Sequence, residues 1–74
     1  MFKDKVVVVT GGANGIGRCI ADEFSNQGAI VYVIDKQEGE HFVGDISKKE
    51  VLEAFAFEVL SKHDKVDIII NNAL

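Results

Sequence analysis

Three glycines and one aspartate carry the first chemical signal in these 74 residues. Gly11, Gly15 and Gly17 follow the β-branched run Val6 to Thr10 and open a segment in which Ile16, Cys19, Ile20 and Phe24 recur at helical spacing. Glycine permits a tight turn and lets a ligand approach the backbone with no Cβ in the way. A helix starting at such a loop aims its unpaired N–H groups, and the positive end of its dipole, at whatever the loop holds. A diphosphate suits that arrangement. Asp35 stands eighteen residues after Gly17, at the end of the next apolar run. A carboxylate there can accept hydrogen bonds from a ribose 2′-hydroxyl and repels a 2′-phosphate. Loop and carboxylate together point to a dinucleotide. The plainer alternative is a tight strand-to-helix turn that binds nothing.

Other chemistry fits less well. Gly12 to Cys19 nearly matches the phosphate loop GxxxxGK[ST], but Arg18 replaces the lysine and Cys19 the magnesium-binding hydroxyl. A soft thiol is a poor ligand for that hard ion. Tyr32 and Lys36 have the Tyr-x-x-x-Lys spacing of a proton-transfer pair, yet they fall on and just past a strand. Residues i and i+4 of a strand lie about 13 Å apart, too far for the lysine to tune the phenol. Tyr32 is therefore expected to pack under a helix. Cys19 shares an apolar stripe with Ile16 and Ile20 and reads as buried and inert. His41 and His63 lack partners at ligand spacing, so no metal is assigned.

Six segments position these residues. The run Val6 to Thr10 reads as a parallel strand covered on both faces. The first helix follows, with Gly28 where a C-cap belongs. Ala29 to Asp35 is a second strand and His41 to Val43 a short third, with at most one helical turn between them. Ser47 opens a second helix with a Ser47–Glu50 capping box and an apolar face of Leu52, Phe55, Ala56, Val59 and Leu60. Phe57 falls off that face. It is either a scattered surface aromatic or a contact for a missing domain or partner. Lys62, Asp64, Lys65 and Asp67 alternate in sign, as on a solvated surface. Val66 to Asn71 is a fourth strand. The alternation predicts an α/β parallel sheet with right-handed crossovers.

Composition narrows the class. At 47% apolar and 27% charged the chain reads as globular, and a net charge of −4 argues against nucleic acid. One cysteine fits a reducing compartment, and no apolar run is long enough to span a membrane. With no signal peptide in MFKDK, a cytoplasmic location is expected.

Thr10 to Gly17, TGGANGIG, resembles the TGxxxGxG signature of the short-chain dehydrogenase/reductase family. Asn71-Asn72-Ala73-Leu74 is similar to its NNAG motif at the end of the fourth strand, with Leu74 where the motif has glycine. Gly44-Asp45-Ile46 resembles the aspartate–aliphatic pair after its third strand. The resemblance implies a Rossmann-like three-layer sheet of strand order 3-2-1-4 that stops after the fourth strand. Residues 1–74 would form the N-terminal half of one dinucleotide-binding domain.

The resemblance also implies roles. Gly11, Gly15, Ile16 and Gly17 would line the cofactor's pyrophosphate, Asp35 its adenosine ribose, and Asp45 with Ile46 its adenine. Asn71, Asn72 and Ala73 would stand beside the adenosine ribose and brace the central sheet. Asn14 occupies a position where NADP-preferring members often carry a basic residue. With Asp35, it points to NAD over NADP, although Lys36 could tolerate a phosphate. The family's catalytic serine, Tyr-x-x-x-Lys pair and further asparagine follow the NNAG motif and are absent from this sequence. Hydride transfer between an alcohol or ketone and nicotinamide is therefore expected only of a longer form. A second expectation is a non-catalytic remnant that self-associates as a homodimer through an open fourth-strand edge.

Overall fold

Five consecutive β-branched residues can all be buried only in a strand with cover on both faces, and Val6–Thr10 is buried at every position. The computed structural model describes residues 2–13 and 15–72. Its elements are β1 (Val6–Thr10), α1 (Gly15–Asn26), β2 (Ile30–Asp35), β3 (Phe42–Val43), α2 (Lys49–Leu60) and β4 (Ile68–Asn71). All strand pairs are parallel, and the order is β3-β2-β1-β4, the 3-2-1-4 arrangement expected. The register sets Val8 beside Tyr32 on one side and Ile69 on the other.

Side-chain alternation divides the core between two helices. Val7 and Val9 pack on the α1 face with Ala21, and Val6, Val8 and Ile34 pack on the α2 face with Phe55 and Val59. The phase of both helices differs from the apolar stripes read in the sequence. α1 turns Gly17 and Ala21 to the sheet, leaving Ile16 74% exposed and Cys19 exposed rather than buried. Only small residues fit there, because the helix crosses close to the loop that follows β1. α2 buries Phe55 and Val59 with Val51 packed beside them, while Leu52, Ala56 and Leu60 face outward. Phe57 is also exposed.

The caps follow local chemistry. α1 ends in a Schellman motif: Gly28 has φ +89°, its N–H donates to the Ser25 carbonyl and the Ala29 N–H donates to that of Phe24. The expected Ser47–Glu50 box does not form. Lys48 is the N-cap of α2 and makes no side-chain cap bond. Asp45 takes the local role instead, its Oδ1 accepting from the Ser47 N–H at 2.9 Å.

Two long-range ties close the sheet. The Asp67 backbone N–H donates to the Val6 carbonyl, and the Val6 N–H donates to Asp67 Oδ2 at 2.9 Å. Asp67 is thus a strand-pairing group rather than part of a solvated turn. That amide, with Lys65 nearby, holds its carboxyl below the usual range. Tyr32 packs on the α2 face as expected, and its hydroxyl meets His63 Nε2 at 2.8 Å.

The connection from β2 to β3 is only residues 36–41. A parallel crossover ordinarily takes a dozen residues or more. Six bring the chain back only as far as Ile34, so β3 pairs with Ile34 and Asp35 alone. Among the described residues, no strand lies outside Ile30–Val33.

Candidate functional site

The glycine loop leaves β1 through Gly11, whose φ of +69° is a left-handed conformation that glycine adopts without strain. The Gly11 N–H donates to the Ile34 carbonyl at 2.8 Å, binding the loop to the end of β2. Gly15 starts α1 with φ +62° and has open space where a Cβ would stand. Gly17 is different. A Cβ there would lie 2.2 Å from the Gly11 carbonyl oxygen and 2.7 Å from Asn72 Nδ2. Helix and loop therefore touch backbone to backbone, which directs the first amides of α1 towards the loop.

The end of β4 secures this turn. Thr10 Oγ1 donates to Asn71 Oδ1 at 2.8 Å, and the Asn72 N–H donates to Thr10 Oγ1 at 3.1 Å. Asn72 Nδ2 donates to the Gly11 carbonyl at 3.1 Å. Asn71 and Asn72 thus brace the ends of β1 and β4. Thr10 is the residue that sequence reasoning left without a role. Its signal was a hydroxyl at the last position of an otherwise aliphatic strand.

A cleft of about 450 Å³ opens at the C-terminal ends of β1, β2 and β3. It brings together Gly11, Asp35, Asp45, Ile46 and Asn72 from the sequence-predicted set. Lys36, Gly44 and Ser47 join them without having been assigned there. Gly44 could be recognised only in three dimensions: a Cβ on it would meet Val51 of α2 at 2.6 Å. Gly15 and Ile16 border a shallow hollow on the outer side of α1 rather than this cleft, and Gly17 faces inward. Asn14 and Ala73 lie outside the described residues. A larger groove, about 930 Å³, follows the open edge of β2 and does not include Asp35.

Two carboxylates and one ammonium face the cleft. Asp35 Oδ1 accepts from the Gln37 N–H at 2.9 Å and Oδ2 from the Ala13 N–H at 3.1 Å. The Gln37 bond is the main reason its carboxyl sits below the usual range, against an opposing push from burial. Asp45 is lowered chiefly by the Ser47 amide. Both groups are ionised at neutral pH, so each is a hydrogen-bond acceptor only. The two carboxylates accept hydroxyl donors and disfavour a phosphate set directly against them. The apolar side chain of Ile46 supplies a wall for a flat ring. Among the described residues, no cluster of three metal-ligating side chains is present, and no helix is long and apolar enough to cross a membrane.

Residues 5–73 match the model of a family described as short chain dehydrogenase. The chain is 39% identical to an NAD-dependent glycerol dehydrogenase of Listeria innocua, covering 95% of this chain and 33% of that protein. It is 37% identical to an L-fucose dehydrogenase of Mus musculus, covering 97% and 31%. In structure it is similar to ligand-free aldohexose dehydrogenase of Thermoplasma acidophilum, with a TM-score of 0.90 and 31% identity over 97% of this chain and 30% of that one. A 3-ketoacyl-(acyl-carrier-protein) reductase from Brucella melitensis complexed with NADH gives a TM-score of 0.85 and 30% identity, over 93% and 34%. The chain spans about a third of the length of the curated relatives it matches.

Proposed function

The chain belongs to the short chain dehydrogenase family, and from that premise we propose that it forms the dinucleotide-binding half of an oxidoreductase and takes NAD in preference to NADP. The observation that carries this reading is the cleft where Asp35 and Asp45 face the same space as Gly11, the first residue of the glycine loop. When bound, the nicotinamide supplies the hydride chemistry. The residues present bind and orient. Gly11 and the backbone amides at the start of α1 face the diphosphate. Asp35 accepts from a ribose hydroxyl, and its charge disfavours a 2′-phosphate. Asp45 and Ile46 border the adenine. Asn72 keeps the loop in place through the Gly11 carbonyl, and Asn71 holds Thr10 beside it.

The 74 residues hold one tyrosine, Tyr32, which lies on β2 with its hydroxyl on His63. No residue here is assigned to proton transfer. Oxidation of an alcohol, or reduction of a ketone, is proposed for a longer form carrying the rest of the domain. The named relatives act on glycerol and L-fucose, which supports a hydroxylated small molecule as the substrate class of that form.

Calorimetric titration of the 74-residue chain tests the cofactor reading. Saturable NAD binding is expected, with NADP at least tenfold weaker and the preference lost in Asp35→Ala. A folded chain that takes up neither dinucleotide at millimolar concentration refutes it.

One observation favours a second reading, pairing of two copies along β4. Among the described residues that strand pairs with β1 alone, and its Ile69 is 67% exposed. Uncovered apolar edge strands invite pairing. Light scattering should then return twice the 8.1 kDa chain mass. A monomer at high micromolar concentration excludes it.

A further inference from the structure

Asp35 touches more than a ribose acceptor needs to. One carboxylate oxygen holds the Ala13 N–H, inside the glycine loop, at 3.1 Å. The other holds the Gln37 N–H, at the start of the β2–β3 connection, at 2.9 Å. The Asp35 carbonyl accepts from the Gly44 N–H at 2.9 Å, on the far wall of the cleft. The β2–β3 connection is in turn closed by His41 Nε2 against the Gln37 carbonyl at 2.7 Å. Asp35 thus stands where the glycine loop, the short connection and the segment after β3 converge.

We propose that Asp35 is a positioning residue that clamps the glycine loop to the β2–β3 connection and so holds the cleft open before any ligand arrives. The physical need is clear in the loop. Gly11 and Gly15 both sit at positive φ, and glycine loses more freedom on ordering than any other residue. A loop this free requires an anchor away from its two ends, and the Ala13 amide is that anchor point. A carboxylate can serve as anchor and reader together. The two oxygens offer about four lone-pair sites, so acceptor capacity remains for a hydroxyl beyond the Gln37, Ala13 and Lys36 amides. Hydrogen bonds to a charged acceptor are also the stronger kind.

The inference extends the cofactor reading but has a test that needs no cofactor. The amide resonances of Ala13 and Gln37 are followed by NMR in the ligand-free chain as pH is lowered across the carboxylate range. Both are expected to shift together, with one midpoint below the ordinary aspartate value of about 3.9. In Asp35→Asn neither follows that titration. Asn keeps one acceptor oxygen, so one amide should retain its bound position while the other moves. An Ala13 amide that does not follow the Asp35 carboxyl overturns the clamp.

The second arm uses NAD and an NAD analogue lacking both hydroxyls of the adenosine ribose. A mere reader would leave the analogue's affinity unchanged in Asp35→Ala. A clamp predicts that the analogue still weakens at least threefold, with Asp35→Asn intermediate. Equal analogue affinity in wild type and Asp35→Ala overturns the positioning role. If no dinucleotide binds wild type, the functional reading fails, and the NMR arm still decides the clamp.

Discussion

Gly17→Ala is expected to abolish dinucleotide binding and to cost this chain a large part of its stability. The added methyl would lie 2.2 Å from the Gly11 oxygen, 3.0 Å from the Gly11 carbonyl carbon and 2.7 Å from Asn72 Nδ2. Two of those atoms are backbone and cannot rotate aside. Helix α1 must withdraw from the loop, which also strains the Asn72 bond to Gly11. Overpacking of this kind costs about 1–3 kcal/mol, and more where backbone must shift. In a domain of this size each kcal/mol lowers the melting temperature by roughly 4–8 °C. Gly15→Ala is the informative control. That methyl meets nothing, so only the φ of +62° opposes it, at about 1–2 kcal/mol. Thermal melts and NAD titration of both variants check the ordering. A Gly17→Ala chain that melts and binds like wild type shows that α1 does not need this close approach.

Phe55→Ala is expected to remove a large share of the chain's folding free energy and to lower its urea midpoint markedly. Phe55 is the largest buried side chain on the α2 face. It packs with Val6, Val8, Ile34 and Val59, and its ring meets that of Phe42 edge-on at 5.2 Å. Truncating a buried phenylalanine costs about 3–5 kcal/mol. The whole domain, at roughly 0.05–0.15 kcal/mol per residue, holds on the order of 4–11 kcal/mol. No other helix covers this face among the described residues, so neighbours have little with which to refill the space. Phe57→Ala, on the exposed side of the same helix, should change stability by less than about 0.5 kcal/mol. Urea unfolding monitored by circular dichroism separates the two. A Phe55→Ala midpoint close to wild type would place the core elsewhere.

Why the cleft lies at one end of the sheet follows from the order of its strands. β1 is central, and crossovers carry the chain to β2 on one side and to β4 on the other. The loops after β1, β2 and β3 therefore open at the same edge, beside the point where strand order reverses. The brief β2–β3 connection keeps Lys36 and Gly44 close to Asp35. It also leaves the lower half of β2 with an open side.

Sequence alone determined the elements, their order and most of the cleft. Those signals are local: a β-branched run, helical spacing, glycines between strand and helix, an acid at a strand end. Strand order then followed from parallel crossovers of fixed hand. Tertiary structure alone decided which faces were buried and what the polar groups bind. Periodicity establishes that a helix has an apolar side, but with apolar residues on adjacent stripes it leaves the rotation open. The close approach at Gly17 settled it for α1, turning Gly17 and Ala21 inward and Cys19 outward. The packing of Val51, Phe55 and Val59 on the valine face settled it for α2. Asp67 looked like one more surface charge until β4 came beside β1 and put its carboxylate on the Val6 amide, 61 residues away. Asp35 is the same case, since its partner Ala13 lies 22 residues distant and on another loop. No local pattern encodes such bonds, because both partners acquire their geometry only when the chain has folded around them.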